Sequence, residues 1–206
     1  MAEIDLVAWD FGDTLVHERF MRVAPENVPD WGTIYDRFFT EHPEFEDRWM
    51  LGRASMIEMI PWLAEHSGLS GAAVGRHLRE VWTRIEWFEP SHRWLRGLSG
   101  RVSQAVVTVN PFEFSGIAAA CGLDPHVDVI VTSADIAQTS KPAMARVARH
   151  VLGLPLGLET TLLIDNRPDN VEDFLGAGGQ AVRFDPDEST ALDAHLEPLI
   201  GHLVST

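Results

Sequence analysis

The chain has 206 residues, of which 45% are hydrophobic, so it can bury a core in one domain or in one domain with a sizeable insertion. Its 31 acidic residues outnumber its 16 basic ones, and the formal charge of −15 argues against nucleic-acid binding, which needs a basic patch. The single cysteine excludes an internal disulfide and a zinc site built from several cysteines.

Five short apolar runs are predicted to form the strands of one sheet. Each run is apolar along its length rather than alternating, which is typical of strands covered on both faces. Helices are predicted between the last four runs, at about residues 112–121, 142–152 and 169–177, and a final amphipathic helix at 192–203. This alternation predicts an α/β fold with a doubly wound parallel sheet. The runs are residues 6–10, 105–109, 127–132, 161–165 and 181–184.

Residues 17–95 interrupt this alternation directly after the first predicted strand. They contain no strand-like run, and they hold six of the seven tryptophans. Residues 71–87 have helical spacing, and Ser70 is placed to be the N-cap of that segment. We therefore expect an all-helical insertion at residues 17–95 in an α/β core formed by residues 1–16 and 96–206.

Polar residues are predicted at three strand ends, namely Asp10, Thr108 and Asp165. In an open parallel sheet, ligands bind at the carboxyl ends of the strands, so these side chains are expected to converge. Lys141 is the only lysine among the 16 basic residues, and it follows the third predicted strand by a short loop. Its compact ammonium group differs from the wide fork of arginine, so a lysine kept in such a chain is a candidate for a specific role.

These groups together suit phosphoryl transfer. An aspartate carboxylate can attack phosphorus and form an aspartyl-phosphate. Mg²⁺ prefers a few carboxylates together with phosphate oxygens and water. A lysine neutralises charge on the transferring group, while a hydroxyl and backbone N–H groups hold the remaining phosphate oxygens.

Four segments, taken in order, resemble the four motifs of the haloacid dehalogenase-like (HAD) hydrolase superfamily. They are Asp-Phe-Gly-Asp-Thr-Leu at residues 10–15, Thr108, Lys141 followed by Pro142, and Leu-Ile-Asp-Asn-Arg-Pro-Asp-Asn at residues 163–170. The helical insertion is similar to the helical cap of that superfamily, so the resemblance covers nearly the whole chain. It implies a Rossmann-like core with an inserted cap, and a Mg²⁺-dependent phosphatase that works through a phosphoaspartate.

The resemblance also implies individual roles for the motif residues. Asp10 is implied as the nucleophile and as a metal ligand. The backbone carbonyl of Gly12, together with Asp165 and Asp169, is implied to complete the Mg²⁺ site. Four residues are implied to bind the phosphoryl group: Thr108, Val109, Asn110 and Lys141.

The first motif departs from the superfamily pattern at position 12. The pattern has a second aspartate there, which is the general acid and base, whereas this chain has Gly12. Asp13 lies one residue later and is a possible substitute acid. Without an acid, the leaving group must depart without a proton, which suits sugar-1-phosphates, aryl phosphates and acyl phosphates better than alkyl phosphates. We expect a small, sugar-phosphate-like ester, since the chain is similar to the glucose-1-phosphate-phosphatase-like branch.

Three alternative functions each have sequence features for or against them. A catalytically weak binding or regulatory protein is favoured by Gly12 and by Asn166, which stands where a second acid is common, but the retained Lys141 opposes it. A 2-haloacid dehalogenase is opposed by Gly12 and by the pair Asp165 and Asp169. Phosphonate cleavage needs a second lysine in the cap, and the chain has none.

The expected partners follow from the composition and the resemblance together. A small phosphorylated metabolite is expected as substrate and Mg²⁺ as cofactor, with neither nucleic acid nor membrane as a partner. No segment has the roughly 18 consecutive apolar residues of a membrane helix. Residues 1–5 hold acids where a signal peptide needs bases and an apolar stretch. A cytoplasmic monomer or homodimer is therefore predicted.

Overall fold

The computed structural model describes residues 3–204. Its central layer is one parallel sheet of five strands in the order β3-β2-β1-β4-β5. Each strand lies within two residues of an apolar run predicted from the sequence, and the predicted doubly wound α/β fold is confirmed. The strands are β1 (Leu6–Trp9), β2 (Ser103–Thr108), β3 (Val129–Thr132), β4 (Thr161–Asp165) and β5 (Gln180–Arg183).

Helices fill the segment between β1 and β2, as predicted. Ser70 caps a helix there, because its side chain accepts a hydrogen bond from the backbone N–H of Ala73 at 3.2 Å. Short 3-10 helices at Glu18–Arg22, Met56–Met59 and Val81–Arg84 connect the longer ones. The α-helices are α1 (Trp31–Glu41), α2 (Pro43–Met50), α3 (Ile60–Ser67) and α4 (Gly71–Glu80).

The remaining helices cover the sheet. The four helices predicted in this half of the chain are present, each with ends within two residues of the prediction. Across residues 3–204, no helix is both long enough and apolar enough to cross a membrane. The helices are α5 (Glu89–Leu98), α6 (Phe114–Cys121), the single turn α7 (Ser133–Ile136), α8 (Lys141–Val151), α9 (Pro168–Gly176) and α10 (Leu192–Val204).

The sheet is buried on both faces, which explains why its strands are apolar along their whole length. Val7 and Trp9 of β1 point to one side, where they pack with residues of α5, α6 and α10. Leu6 and Ala8 point to the other side, where they pack with residues of α8 and α9. All four side chains are fully buried, so an apolar layer on each face supports the sheet up to its carboxyl edge.

Two adjacent backbone segments carry the chain out of the core and back. The N–H of His17 donates to the carbonyl of Glu86 at 2.9 Å, and the N–H of Phe88 donates to the carbonyl of Leu15 at 2.9 Å. Val16 forms an antiparallel bridge with Trp87 between these bonds. The insertion therefore begins and ends at one narrow double crossing.

Helix α5 packs on the core, although the predicted insertion reached residue 95. Trp94, Leu95 and Leu98 belong to the same buried cluster as β1. The indole N–H of Trp94 also donates to Asp193 in α10 at 2.8 Å. We therefore propose a cap of residues 18–85, which ends at the double crossing rather than at residue 95.

Candidate active site

Two aspartates lie where the strand order reverses, between β1 and β4. Trp9 pairs with Ile164 in the sheet, and the N–H of Asp10 donates to the carbonyl of Ile164 at 2.9 Å. Asp10 and Asp165 therefore leave the sheet side by side at its carboxyl edge. Asp10 is 8% exposed and Asp165 is fully buried. This position is the crevice in which open α/β sheets bind ligands.

Lys141 lies between these two carboxylates. It is the first residue of α8, whose N-terminus is capped by the side chain of Ser140. Its Nζ atom lies 2.5 Å from Oδ1 of Asp10 and 3.1 Å from Oδ2 of Asp165, and it also donates to the carbonyl of Val107 at 2.7 Å. Only 1% of the side chain is exposed, so the amino group of the chain's single lysine is held in place by these three acceptors.

Asp165 is held by donors on the far side from Lys141. The amide of Asn170 donates to both of its carboxylate oxygens at 3.0 Å, and the N–H of Arg167 donates to Oδ1 at 2.9 Å. Burial, and after it the nearby charge of Asp10, raise the pKa of Asp165 above its usual range. The site therefore holds two carboxylates in mutual repulsion, which one lysine offsets only in part.

Thr108 and Asn110 form a connected pair after β2. Thr108 is buried, and its hydroxyl accepts a hydrogen bond from the amide of Asn110 at 2.8 Å. The carbonyl of Asn110 accepts hydrogen bonds from the hydroxyl of Ser133 and the N–H of Ala134, both at 3.3 Å. Val109 packs its half-buried side chain against the apolar layer, so only its backbone is available to a ligand. Phosphate binding by these three residues stays a prediction.

The turn after β1 is built around Gly12 and Asp13. Asp13 has a left-handed backbone with φ of +50°, and its N–H donates to the carbonyl of Val16 at 2.7 Å. Aspartate and asparagine adopt this conformation more readily than most residues. Position 13 thus has a conformational reason to be aspartate, and its role as a substitute acid stays a prediction. The hydroxyl of Thr14 accepts from the N–H of Asn166 at 3.1 Å and ties this turn to the loop after β4.

Asp169, predicted as a metal ligand, is not brought to the other two acids. Its side chain is 64% exposed in the first turn of α9 and pairs with the guanidinium of Arg167 at 2.9 and 3.2 Å. Those hydrogen bonds lower the pKa of Asp169. In the described part of the chain, no three acidic, histidine or cysteine side chains are grouped closely enough to hold a metal. Metal binding by Asp169 stays a prediction, and the predicted ligands at the strand ends are Asp10, Asp165 and the carbonyl of Gly12.

This reduced set still fits Mg²⁺ on chemical grounds. Mg²⁺ is bound by hard oxygen atoms, and it often takes only one or two carboxylates, with substrate phosphate and water as its other ligands. The repulsion between Asp10 and Asp165 marks a place where a further cation would be stabilised. The donors present therefore match a magnesium ion bound together with a phosphate group.

Glu113 joins the core to the cap, a contact that the sequence does not predict. It precedes α6 in the core, but its partners belong to the cap. Its carboxylate accepts hydrogen bonds from the hydroxyl of Ser55 at 2.9 Å, the N–H of Met56 at 2.8 Å and the indole N–H of Trp49 at 3.2 Å. These partners lie 57 to 64 residues earlier in the chain. No local pattern around Glu113 indicates such a contact.

A cavity of about 280 Å³ lies between the cap and the core. The core side of its wall includes Gly12 and Asn110, which places it beside the carboxylate and lysine cluster. Most of its wall is apolar. Six aromatic side chains line it: Phe11, Phe20, Tyr35, Phe39, Trp49 and Trp82.

No protein-family model matches the sequence, and no curated protein matches it. The fold does match solved structures. A HAD family enzyme from Bacteroides thetaiotaomicron has a TM-score of 0.67 at 14% identity, over 93% of this chain and 98% of that one. A predicted HAD-like family hydrolase from Porphyromonas gingivalis has a TM-score of 0.66 at 18% identity, over 100% of both chains. An L-2-haloacid dehalogenase from Xanthobacter autotrophicus has a TM-score of 0.65 at 16% identity, over 93% of this chain and 82% of that one.

These likenesses establish the HAD fold for this chain. The resemblance inferred from the four motifs is thereby confirmed at the level of fold, and similarity to the glucose-1-phosphate-phosphatase-like branch stays a prediction. The Bacteroides enzyme has also been solved in complex with magnesium and inorganic phosphate. A shared fold does not by itself transfer an activity, so the activity must be argued from the site.

Proposed function

We propose that this protein is a Mg²⁺-dependent phosphatase that hydrolyses a small phosphate ester through an aspartyl-phosphate at Asp10. The observation that carries the proposal is the buried trio of Asp10, Lys141 and Asp165 at the strand-order reversal. A buried lysine shared by two carboxylates is costly for folding unless the geometry is well satisfied, and it has little use as a stabilising device. A site for a charged, transferring phosphoryl group explains why these three side chains are held together.

Each residue of the site has a part in this proposal. Oδ1 of Asp10 is occupied by Lys141, so its other carboxylate oxygen attacks phosphorus. Lys141 offsets negative charge as the phosphoryl group moves, and Thr108 with the backbone N–H groups after it holds the phosphoryl oxygens. Asn170 fixes the orientation of Asp165 through both oxygens. Asp10, Asp165 and the backbone carbonyl of Gly12 would hold Mg²⁺, which would supply further charge stabilisation when bound.

The regeneration step restores the Asp10 carboxylate. Water attacks the phosphorus of the aspartyl-phosphate, the bond between phosphorus and the carboxylate oxygen breaks, and inorganic phosphate leaves. The nearest acid in the same turn is Asp13, whose backbone is left-handed. If Asp13 carries protons in either step, its removal slows turnover by about 10²–10⁴-fold, the usual contribution of a general acid or base.

A pair of variants tests the proposal. Asp10→Asn is expected to abolish phosphate release from a panel of phosphate esters in the presence of Mg²⁺. Asp13→Asn tests the substitute acid separately, since asparagine also adopts the left-handed conformation and should leave the fold intact. Equal activity of wild type and Asp10→Asn would refute the proposed nucleophile.

Removal of the metal distinguishes the phosphatase from the alternative functions, a dehalogenase and a binding protein. Chelation by EDTA is expected to abolish phosphate release, and Mg²⁺ is expected to restore it. Chloride release from 2-chloropropionate without any metal, and no phosphate release, would instead identify a dehalogenase. A folded protein that binds inorganic phosphate in the presence of Mg²⁺ and releases none from any ester would be a binding protein on this scaffold.

A further inference from the structure

The cavity between the cap and the core carries an inference about the substrate, and this inference rests on the function proposed above. The cavity touches the catalytic edge at Gly12 and Asn110 and extends into the cap. A phosphate held by Lys141 would therefore direct its ester group into this space. The chemistry of the cavity wall then selects the leaving group.

The wall is rich in flat apolar rings. Tyr35 and Phe39 meet edge to face with centroids 5.2 Å apart, and Phe39 is stacked on Trp49 with centroids 6.3 Å apart. Phe11 adds a ring from the core side, next to Gly12. Rings in such arrangements favour another aromatic ring, through stacked or edge contacts, over a hydrated group.

Several polar groups of the wall already have partners within the protein, although the buried indole N–H of Trp82 has none among the described residues. Glu113 accepts three hydrogen bonds from the cap. Asp36 is paired with Arg22 at 2.7 Å, and the amide of Asn110 donates to Thr108. A sugar brings several hydroxyl groups, and each buried hydroxyl needs a hydrogen-bond partner. The wall therefore matches a polyol poorly.

The charge of the wall also restricts the substrate. Three acidic residues line it, namely Asp36, Glu46 and Glu113, against the single basic residue Arg22. A second anionic group on the substrate would meet repulsion there. A monophosphate of a neutral molecule is favoured over a bisphosphate or a phosphorylated acid.

We propose that the substrate is an aryl phosphate, whose aromatic ring occupies this cavity. A carboxylate oxygen of Asp10 forms the bond to phosphorus, the bond from phosphorus to the aryl oxygen breaks, and the electron pair leaves with the aryl oxide. A phenol has a pKa of about 10, as tyrosine does, so its oxide departs without a donor at Gly12 and takes its proton from water. Water then hydrolyses the aspartyl-phosphate to phosphate and restores the carboxylate.

Binding to Asp10→Asn tests this proposal without turnover. Calorimetry in Mg²⁺ would compare three probes: phenyl phosphate, glucose-1-phosphate and inorganic phosphate. Phenyl phosphate is expected to bind at least about tenfold more tightly than inorganic phosphate, because its ring fills an apolar pocket. Glucose-1-phosphate is expected to gain nothing over inorganic phosphate. A tighter complex with glucose-1-phosphate than with phenyl phosphate would overturn the proposal.

A matched pair of variants tests whether the aromatic ring of phenyl phosphate lies in the cavity. Phe39 lines the cavity, whereas Phe45 packs against it in the same aromatic cluster and is not part of the wall. In the Asp10→Asn background, Phe39→Leu is expected to weaken phenyl phosphate about fivefold, and Phe45→Leu to leave it unchanged. Equal losses in the two variants, with inorganic phosphate binding retained, would show that the ring lies elsewhere.

The same measurements keep this proposal distinct from the proposed function. If inorganic phosphate binds in Mg²⁺ and phenyl phosphate gains no affinity, the phosphatase stands and the aryl substrate is refuted. If inorganic phosphate binds neither Asp10→Asn nor the wild-type protein in Mg²⁺, the phosphatase itself fails. Phenol alone then reports on the cavity, and loss of its binding in Phe39→Leu but not in Phe45→Leu is the result that an aromatic site predicts.

Discussion

The core and the cap bury their interiors with different side chains. Around the sheet, the buried residues are mostly valine, leucine, isoleucine and alanine from strands and flanking helices. In the cap, aromatic rings and methionines make up eight of the fifteen buried residues, among short helices. Regular strands need small branched side chains to stack in layers, whereas short helices at varied angles are filled by large rings and flexible methionines. We infer from this difference that the two regions have different roles.

The core positions the charged side chains of the site, and the cap forms most of the cavity wall. Strand ends place Asp10 and Asp165 beside each other, and α8 delivers Lys141 between them. The cap contributes no group to that trio but supplies most of the aromatic wall above it. Changes in the core are therefore expected to affect chemistry and stability together. Changes in the cap are expected to affect docking and recognition.

Lys141→Met is expected to have the largest effect and tests the core side of the comparison. It leaves Asp10 and Asp165 as two buried charges without a counter-ion, so the free energy of unfolding should fall by about 3–5 kcal/mol. Phosphate release should be lost in the protein that remains folded. Urea unfolding and phosphate release measure the two effects.

Arg149→Met is the matched control for that experiment. Arg149 is equally buried, at 1% side-chain exposure, and pairs with Asp5 just before β1, at the opposite edge of the sheet. It should lower stability while the folded fraction still releases phosphate. Loss of activity in the folded fraction of both variants would show that any buried charge in the core matters equally, and would remove the special role of Lys141.

Glu113→Gln is expected to have an intermediate effect and tests the connection between the two regions. An amide cannot replace a carboxylate that accepts three hydrogen bonds, so docking of the cap should weaken by about 1.5 kcal/mol. Hydrogen exchange at the N–H of Met56, which donates to Glu113, should accelerate. Glu58→Gln is the control, because Glu58 accepts from the N–H of Ser55 within the cap alone. Faster exchange throughout the cap in both variants alike would contradict a docking role for Glu113.

His77 is expected to give the smallest effect and tests the cap by itself. Burial lowers the pKa of His77, and its Nε2 atom lies 2.8 Å from the carbonyl of Val23, to which it donates as a neutral ring. The folded state therefore binds a proton less readily than the unfolded chain. Stability is complete above the unfolded pKa of about 6.5 and falls as the pH drops below it.

A histidine in the core provides the comparison for this pH dependence. Burial also lowers the pKa of His92, in α5. Between pH 7.5 and pH 5.5, the free energy of unfolding measured in urea should fall less in His77→Gln than in wild type. In His92→Gln it should also fall less than in wild type, because the second histidine is removed. An unchanged pH dependence in His77→Gln would show that the cap histidine does not contribute.

Much of the core was predictable because its signals are local. A strand buried on both faces is apolar along its length, so all five strands were predicted to within two residues. Polar residues at the ends of such runs identified Asp10, Thr108 and Asp165. Lys141 was identified by its rarity and by the proline that starts its helix. The structure brings Asp10, Lys141 and Asp165 into one cluster.

The cap was predicted only as a helical insertion. The sequence does not predict α1 and α2 individually, and it predicts that the insertion ends at residue 95, inside α5. Helix α5 is amphipathic like the cap helices. Its own sequence therefore does not indicate whether Trp94 and Leu98 pack against the cap or against the core. That choice depends on α10, a hundred residues away in the chain.

The sequence by itself determined the sheet, the order of the motifs and the acid, lysine and acid that meet at its edge. Backbone pairing and apolar periodicity fix these features within short stretches. Only the tertiary structure decided that Asp169 faces solvent with Arg167, that Glu113 holds the cap, and that aromatic rings line the cavity. Each of these three features depends on contacts between segments that are distant in the chain. Such contacts cannot be predicted from a local pattern of residues.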